Sequence, residues 1–300
     1  MATRKYAGLA LTAKNALQTN TALRGAASLL GFNVPRNNCS RENSIEHMIV
    51  FITGATAGFG RAAARRFAQD GAKIVGTGRR KNRLDELKQE LGPNFLPLAF
   101  DVSQRAQVEH AVQSLPEEFA AVDVLVNNAG GAIGLEPAHK TNLDDWETMV
   151  DTNVKGVMYC TRALLPGMVE RNRGHVVNIG SSAAEWPYPG GNVYGATKAF
   201  VHQFSLNLRA DLFGTAVRVT DVQPGLVAGS EFSEVRFKGD KKKAQAVYEG
   251  TQPLTAEDVA DTIHWVATRP AHFNVNTIQI MPVGQAFGPL PVKREQQKTS

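Results

Sequence analysis

Tyr194 and Lys198 stand four residues apart, a spacing that puts both side chains on one face of a helix. A free phenol ionises near pH ~10. A neighbouring ammonium favours the phenolate and draws that value down, toward the range where a tyrosine exchanges protons at neutral pH. Such a pair suits proton transfer to or from a carbonyl or hydroxyl oxygen. Taken alone, Tyr-x-x-x-Lys is also common on surface helices. Ser181 alone reads equally well as a helix N-cap, and Asn153 as a core-facing amide bonded to backbone.

A second segment carries different chemistry. The apolar run Met48–Thr53 enters Gly54-Ala55-Thr56-Ala57-Gly58-Phe59-Gly60. Glycines between a strand and a helix let the backbone turn tightly and approach a pyrophosphate, whose charge then faces the helix N-terminus. The spacing is not G-x-G-x-x-G, and an ordinary glycine-rich turn is the alternative. The next strand ends in Gly78-Arg79-Arg80, where an NAD enzyme usually places Asp or Glu for the ribose 2′-hydroxyl. A guanidinium is planar, forked and always charged, and so matches a phosphate. The arginines therefore favour NADP over NAD, against the alternative of a solvated basic pair beside Lys81 and Arg83.

Positioning these groups requires a regular scaffold, and the pattern supplies one. Apolar runs at 48–53, 73–77, 95–100, 122–126, 175–179, 216–222 and 277–281 predict seven strands, the third despite Pro97. Helical stripes lie between them. Leu84, Leu87 and Leu91 mark one, Trp146, Met149, Val150, Asn153, Val154 and Val157 another, and Thr255-Ala-Glu-Asp258 reads as a capped helix start. Strands alternating with helices predict an α/β fold: one Rossmann-type, doubly wound domain with a seven-stranded parallel sheet and helices on both faces.

Composition bounds the alternatives. The 300 residues carry a net charge of +5, but residues 1–41 hold six bases and no acid. The first 47 residues have a net charge of +4, and the body is nearly neutral. A nucleic-acid footprint needs a basic face on a folded body, so no nucleic-acid partner is expected. No apolar run reaches the ~20 residues of a membrane helix. Two cysteines, Cys39 and Cys160, exclude a disulfide framework and a cysteine zinc site, and seven scattered histidines give no metal motif. No metal is expected. Gly180-Ser181-Ser182 lacks the G-x-S-x-G elbow of a hydrolase. Residues 1–47 read as an N-terminal extension outside the fold, with 48–300 as the dinucleotide-binding and catalytic domain. Met48 would be the natural start of a cytoplasmic protein; the alternative is an organelle transit peptide, which is likewise basic and hydroxylated.

Four further segments complete the pattern: Asn127-Asn128-Ala129-Gly130, Asn153-Val154-Lys155-Gly156, Ser181, and Tyr194-Gly195-Ala196-Thr197-Lys198. With the glycine turn, in this order and spacing, the chain strongly resembles the short-chain dehydrogenase/reductase family over essentially all of 48–300. It looks most like the bacterial NADP-dependent 3-hydroxy acid dehydrogenases, which act on serine, allo-threonine and 3-hydroxypropionate or its semialdehyde. Glu136–Lys140, Asp145–Met149, Trp186-Pro187-Tyr188 with Gly190–Tyr194, and Glu231–Asp240 carry that finer likeness. One departure is Gln223 before Pro224-Gly225, where the relatives would have Glu.

The resemblance implies roles. Gly54–Gly60 would cradle the pyrophosphate of NADP, with Arg79 and Arg80 at the 2′-phosphate. Asp101 and Val102 would face the adenine, Asn128 would line the cofactor cleft, and Pro224-Gly225-Leu226-Val227 would lie along the nicotinamide. Tyr194 would exchange the proton, Lys198 would reach the ribose and tune the phenol, Ser181 would bind the substrate oxygen, and Asn153 would hold a water that links Lys198 to solvent. Residues 226–250 would form a lid, from which Arg236 or Lys238 would meet a substrate carboxylate. A homotetramer would form through the faces around Val154–Met158 and Phe200–Leu208. A reductase of another carbonyl substrate (3-oxoacyl, sugar or broad) is the alternative within the family. A non-enzymatic NADP-binding regulator is the other, although it predicts loss of Tyr194 or Lys198, and both are present.

Overall fold

Val50 and Ile52 pack on one side of a strand and Ile49 and Phe51 on the other, so the opening apolar run serves two cores at once. This strand, β1 (Ile49–Ile52), is an inner strand of the sheet in the computed structural model, which describes residues 45–287. The others are β2 (Lys73–Gly78), β3 (Phe95–Ala99), β4 (Val124–Asn127), β5 (Gly174–Ile179), β6 (Val217–Pro224) and β7 (Thr277–Ile280). All pair in parallel, in the order β3-β2-β1-β4-β5-β6-β7. The order reverses between β1 and β4, so the cleft for a ligand opens beyond their carboxyl ends. The seven expected strands are all present. Pro97 is tolerated because β3 is an edge strand, with only β2 as a ladder partner.

Helices α1 (Gly58–Gln69), α2 (Lys81–Leu91), α3 (Arg105–Gln113), α4 (Glu117–Ala120), α5 (Leu143–Val150), α6 (Val157–Glu170), α7 (Asn192–Asp211), α8 (Phe232–Arg236), α9 (Lys241–Ala246) and α10 (Ala256–Ala267) cover the sheet and the cleft. Phe67, Leu84, Leu87 and Ile263 close one face, and Val108, Leu164, Met168 and Leu208 the other. The Thr255–Asp258 capping box that starts α10 forms as expected. Between α5 and α6 the helix widens into a π-turn over Asp151–Gly156, which an ordinary helical stripe does not signal. Upstream of β1, a 3-10 turn at Ile45–His47 packs Ile45 against the first core. The fold thus reaches slightly before Met48; the rest of the extension read over 1–47 lies outside the described residues.

Candidate active site

The chain leaves β1 through Thr53 into a turn where Gly54 and Gly58 have φ of +70° and +50°, a left-handed backbone that favours glycine. A Cβ on Gly60 would lie 2.5 Å from Asn128 Nδ2, so only hydrogen fits there. Ala55 is buried and its N–H donates to Thr77 O at 2.8 Å, which fixes the turn on β2. Ala57 caps α1 with no side-chain bond, which leaves the first-turn N–H groups open to an anion. Phe59 faces the substrate cleft. Thr53, unremarked in the sequence, organises the junction: its Oγ accepts from the Asn128 and Ala129 amides, both at 2.9 Å. Asn128, expected to line the cleft, gives its side-chain amide to Thr53 O at 2.9 Å and Gly54 O at 3.2 Å. It braces the glycine turn from behind.

At the end of β2, the Arg79 side chain is 76% exposed, with Asp101 its nearest carboxylate at 3.9 Å. Arg80 donates to Thr56 Oγ at 3.0 Å, which places a guanidinium against the glycine turn. Asp101 accepts from Ser103 N at 2.9 Å, while Val102 is buried against Gly156, leaving its backbone for any adenine contact. A left-handed glycine turn, an uncapped helix start and two arginines where an acid would select NAD fit a dinucleotide with a 2′-phosphate.

The proton-transfer group assembles from β5, the π-turn and α7. Ser181 follows β5 and caps a short 3-10 turn, its Oγ accepting from Ala183 N at 3.1 Å. The cap reading of Ser181 therefore holds, and its hydroxyl also meets the Tyr194 phenol. Tyr194 and Lys198 are buried on the same face of α7. Asn153 is buried in the π-turn; its amide donates to Gly131 O at 2.9 Å and Thr197 Oγ at 3.0 Å. Both N–H groups are committed, so the side chain ties the β4 loop to α7 instead of offering a free amide to a relay water. A Cβ on Gly130 would lie 2.8 Å from Asn153 Oδ1 and 3.9 Å from Lys198 Nζ, so these three residues meet at one point.

Electrostatics depart from expectation. Burial pushes the Tyr194 phenol up to about 12, opposed by the Ser181 hydroxyl and, more weakly, the Arg236 guanidinium. Lys198 does not draw the phenol down in this arrangement. Its Nζ lies 5.9 Å from the Tyr194 ring centre and donates to Ile179 O at 2.7 Å. Burial lowers Lys198 itself to about 8, partly offset by the charge of Asp221. Asp221 is fully buried in β6, where burial raises its own pKa, and its Oδ2 accepts from Gln223 Nε2 at 2.8 Å and meets His202 Nδ1 at 2.9 Å. Gln223 is thus a neutral donor to this carboxylate, whose Oδ1 is buried with no partner among the described residues; a Glu there would place a second acid against it.

Beyond Tyr194 lies a cleft of about 460 Å³ bounded by Ser181, Trp186, Tyr188, Phe232 and the Pro224–Val227 segment. Gln285, from the chain after β7, also lines it, its Oε1 accepting from Leu226 N at 2.7 Å; nothing in the sequence signals that contact. The expected lid over 226–250 carries α8 and α9. Arg236 reaches into the cleft: its Nη2 donates to Tyr188 OH at 2.6 Å, and its guanidinium lies 5.6 Å from the Tyr194 ring centre. Its Nε is buried with no partner among the described residues. Lys238 pairs with Asp145 at 2.6 Å. Among the described residues no cluster of His, Cys, Asp or Glu could hold a metal, and no helix is long and apolar enough to cross a membrane.

A doubly wound sheet with a left-handed glycine turn at its switch point and a tyrosine–lysine–serine group over the same cleft defines a dinucleotide-dependent oxidoreductase. A short chain dehydrogenase family model matches residues 48–240, and the chain belongs to that family. It is 64% identical over 247 residues to the NADP-dependent 3-hydroxy acid dehydrogenase YdfG of Salmonella typhi, covering 82% of this chain and all of the relative. It is 50% identical over 246 residues to serine 3-dehydrogenase of Rhizobium radiobacter, covering 82% of this chain and 98% of that one. A solved closed form of serine dehydrogenase complexed with NADP+ superposes with a TM-score of 0.82 at 62% identity, covering 83% of this chain and all of that one.

Proposed function

We propose that the protein is an NADP-dependent oxidoreductase that moves a hydride between NADP(H) and a short 3-hydroxy acid or its 3-oxo form, in the class of serine, L-allo-threonine and 3-hydroxypropionate with malonic semialdehyde. The observation that carries the substrate class is Arg236: a half-buried arginine whose buried Nε has no partner among the described residues, beside the Tyr194 phenol. A substrate carboxylate would bind it by charge-assisted hydrogen bonds, leaving the hydroxyl-bearing carbon near Tyr194 and Ser181. The relatives' names support the same class.

NADP, when bound, supplies the hydride acceptor or donor. Ser181 donates to the substrate oxygen and orients it. In oxidation the substrate hydroxyl proton passes to the Tyr194 oxygen; in reduction the phenol returns it to the forming alkoxide. Lys198 supplies positive charge and hydrogen bonds behind Tyr194, and Asn153 holds the loop and helix that carry them. A phenol at about 12 is protonated throughout neutral pH, so the cofactor-free site is poised as a proton donor.

The same reading includes a homotetramer, supported by Met158 and Leu206, which stay exposed on α6 and α7 beside the stacked Phe200 and Phe204 rings. It also includes a cytoplasmic enzyme drawing on the NADP(H) pool there; the organelle alternative rests on the leader, outside the described residues. The test is a spectrophotometric panel of NADP+ and NAD+ against serine, allo-threonine, 3-hydroxypropionate and 3-hydroxyisobutyrate, with malonic semialdehyde and NADPH in reverse. Turnover of the acids with NADP+ is expected. A preference for neutral ketones or 3-oxoacyl thioesters would replace this reading with the broader reductase.

A further inference from the structure

Glu231, the residue that precedes helix α8 of the lid, reaches across the fold to the other end of the cofactor site. Glu231 Oε2 accepts from Arg80 Nη1 at 2.7 Å, and its Oε1 from Arg83 Nη2 at 3.2 Å. Arg80 is the guanidinium that also donates to Thr56 in the glycine turn. Ser230 lies on that turn as well: a Cβ built on Gly58 would sit 3.1 Å from Ser230 Cβ. The start of the lid is thus laid over the phosphate cradle and clamped by two arginines.

We infer that Glu231 is a specificity-determining residue that competes with the 2′-phosphate of NADP for Arg80, and so sets how strongly NADP is preferred over NAD. The inference rests on the assignment of Arg79 and Arg80 to that phosphate. A phosphate on Arg80 would stand within a few ångströms of the Glu231 carboxylate, because both use one small planar group. Two like charges at that separation repel by more than a half-exposed ion pair contributes, so they do not share the guanidinium. The side chains of Arg80 and Glu231 are 41% and 39% exposed, so the pair separates at little cost. NAD carries only a hydroxyl at this position and does not contest the pair. Glu231 therefore weakens NADP binding selectively, and arrival of the phosphate releases the lid at the N-cap of α8.

The experiment is a calorimetric titration of the full chain, wild type, Glu231→Gln and Arg80→Ala, with NADP+, NAD+ and 2′,5′-ADP. Gln keeps the size and a hydrogen-bond acceptor but removes the charge. Glu231→Gln is expected to lower Kd for NADP+ and 2′,5′-ADP by about two- to fivefold, the range of an exposed ion pair, and to leave NAD+ unchanged. Arg80→Ala is expected to raise Kd for both phosphorylated ligands at least about tenfold, as loss of a charged hydrogen bond does. If Arg80→Ala weakens NADP+ while Glu231→Gln leaves it unchanged or weaker, the competition is refuted and the phosphate site stands. If Arg80→Ala has no effect on NADP+, both the phosphate site and the competition fail.

Discussion

Lys198→Met separates function from stability at a single buried side chain. The folded protein holds the Lys198 ammonium at about 8, against 10.5 for the free group, and desolvation is the principal cause. A base whose pKa is depressed by folding binds fewer protons folded than unfolded, so folding is penalised wherever the unfolded chain is protonated. At pH 7 that penalty is about 3 kcal/mol. It is constant below the folded value of about 8, shrinks as pH rises from there, and vanishes above 10.5. Met keeps the length and removes the charge. It also leaves Ile179 O without its 2.7 Å donor, which costs about 1–2 kcal/mol. The variant should therefore be more stable at pH 7 by about 1–2 kcal/mol, a rise in Tm of a few degrees for a chain of this size. The advantage should disappear by pH 10, where the lost hydrogen bond alone remains. Paired thermal melts of both proteins from pH 6.5 to 10.5 read the difference, with Asp221 the buried acid coupled to Lys198. Turnover should be lost at every pH. A variant that is less stable at pH 7, with a gap to wild type that does not move with pH, would refute the claim that burial of this ammonium strains the fold.

Two further expectations concern the reaction. Because burial holds Tyr194 at about 12, the phenolate needed to accept a proton grows with rising pH. Oxidation of the hydroxy acid should climb across pH 7–10 while reduction stays flat, in initial-rate profiles of the two directions; an oxidation rate independent of pH would contradict it. Arg236→Ala should raise KM for a 3-hydroxy acid by about 10- to 100-fold, the worth of a charged hydrogen bond, and leave KM for an uncharged analogue within a few fold. Equal loss on both would indicate that the side chain only supports the lid, through the 2.6 Å bond from Arg236 Nη2 to Tyr188 OH.

The scaffold was legible because the physics is local. Buried parallel strands must be apolar on both faces, and the Ile49–Ile52 and Val124–Asn127 segments advertise that. The glycine turn was legible for a similar reason, since the positive φ at Gly54 and Gly58 restricts residue choice. What escaped is non-local. Glu231 meets Arg80 across 151 positions, and Gln285 meets Leu226 across 59, with no pattern to announce either. The π-turn around Asn153 broke a stripe that read as continuous helix. The sequence spacing also placed Tyr194 and Lys198 on one face, as α7 has them, while the burial of both groups is a tertiary property that spacing does not carry. Burial of the phenol outweighs an ammonium that is turned toward Ile179 O. Lys238, an alternative carboxylate ligand by sequence, has a partner in Asp145 that no local pattern announces.

The central claim is that Tyr194 carries the proton while NADP carries the hydride. Single-turnover absorbance at the reduced-nicotinamide band, with enzyme in excess over NADP+ and saturating 3-hydroxy acid, reads that step directly. Tyr194→Phe is expected to bind NADPH as tightly as wild type and to lose about 10²–10⁴-fold in the rate of NADPH formation, the range for removal of a general acid–base. A Tyr194→Phe protein that forms NADPH at the wild-type rate would contradict the account.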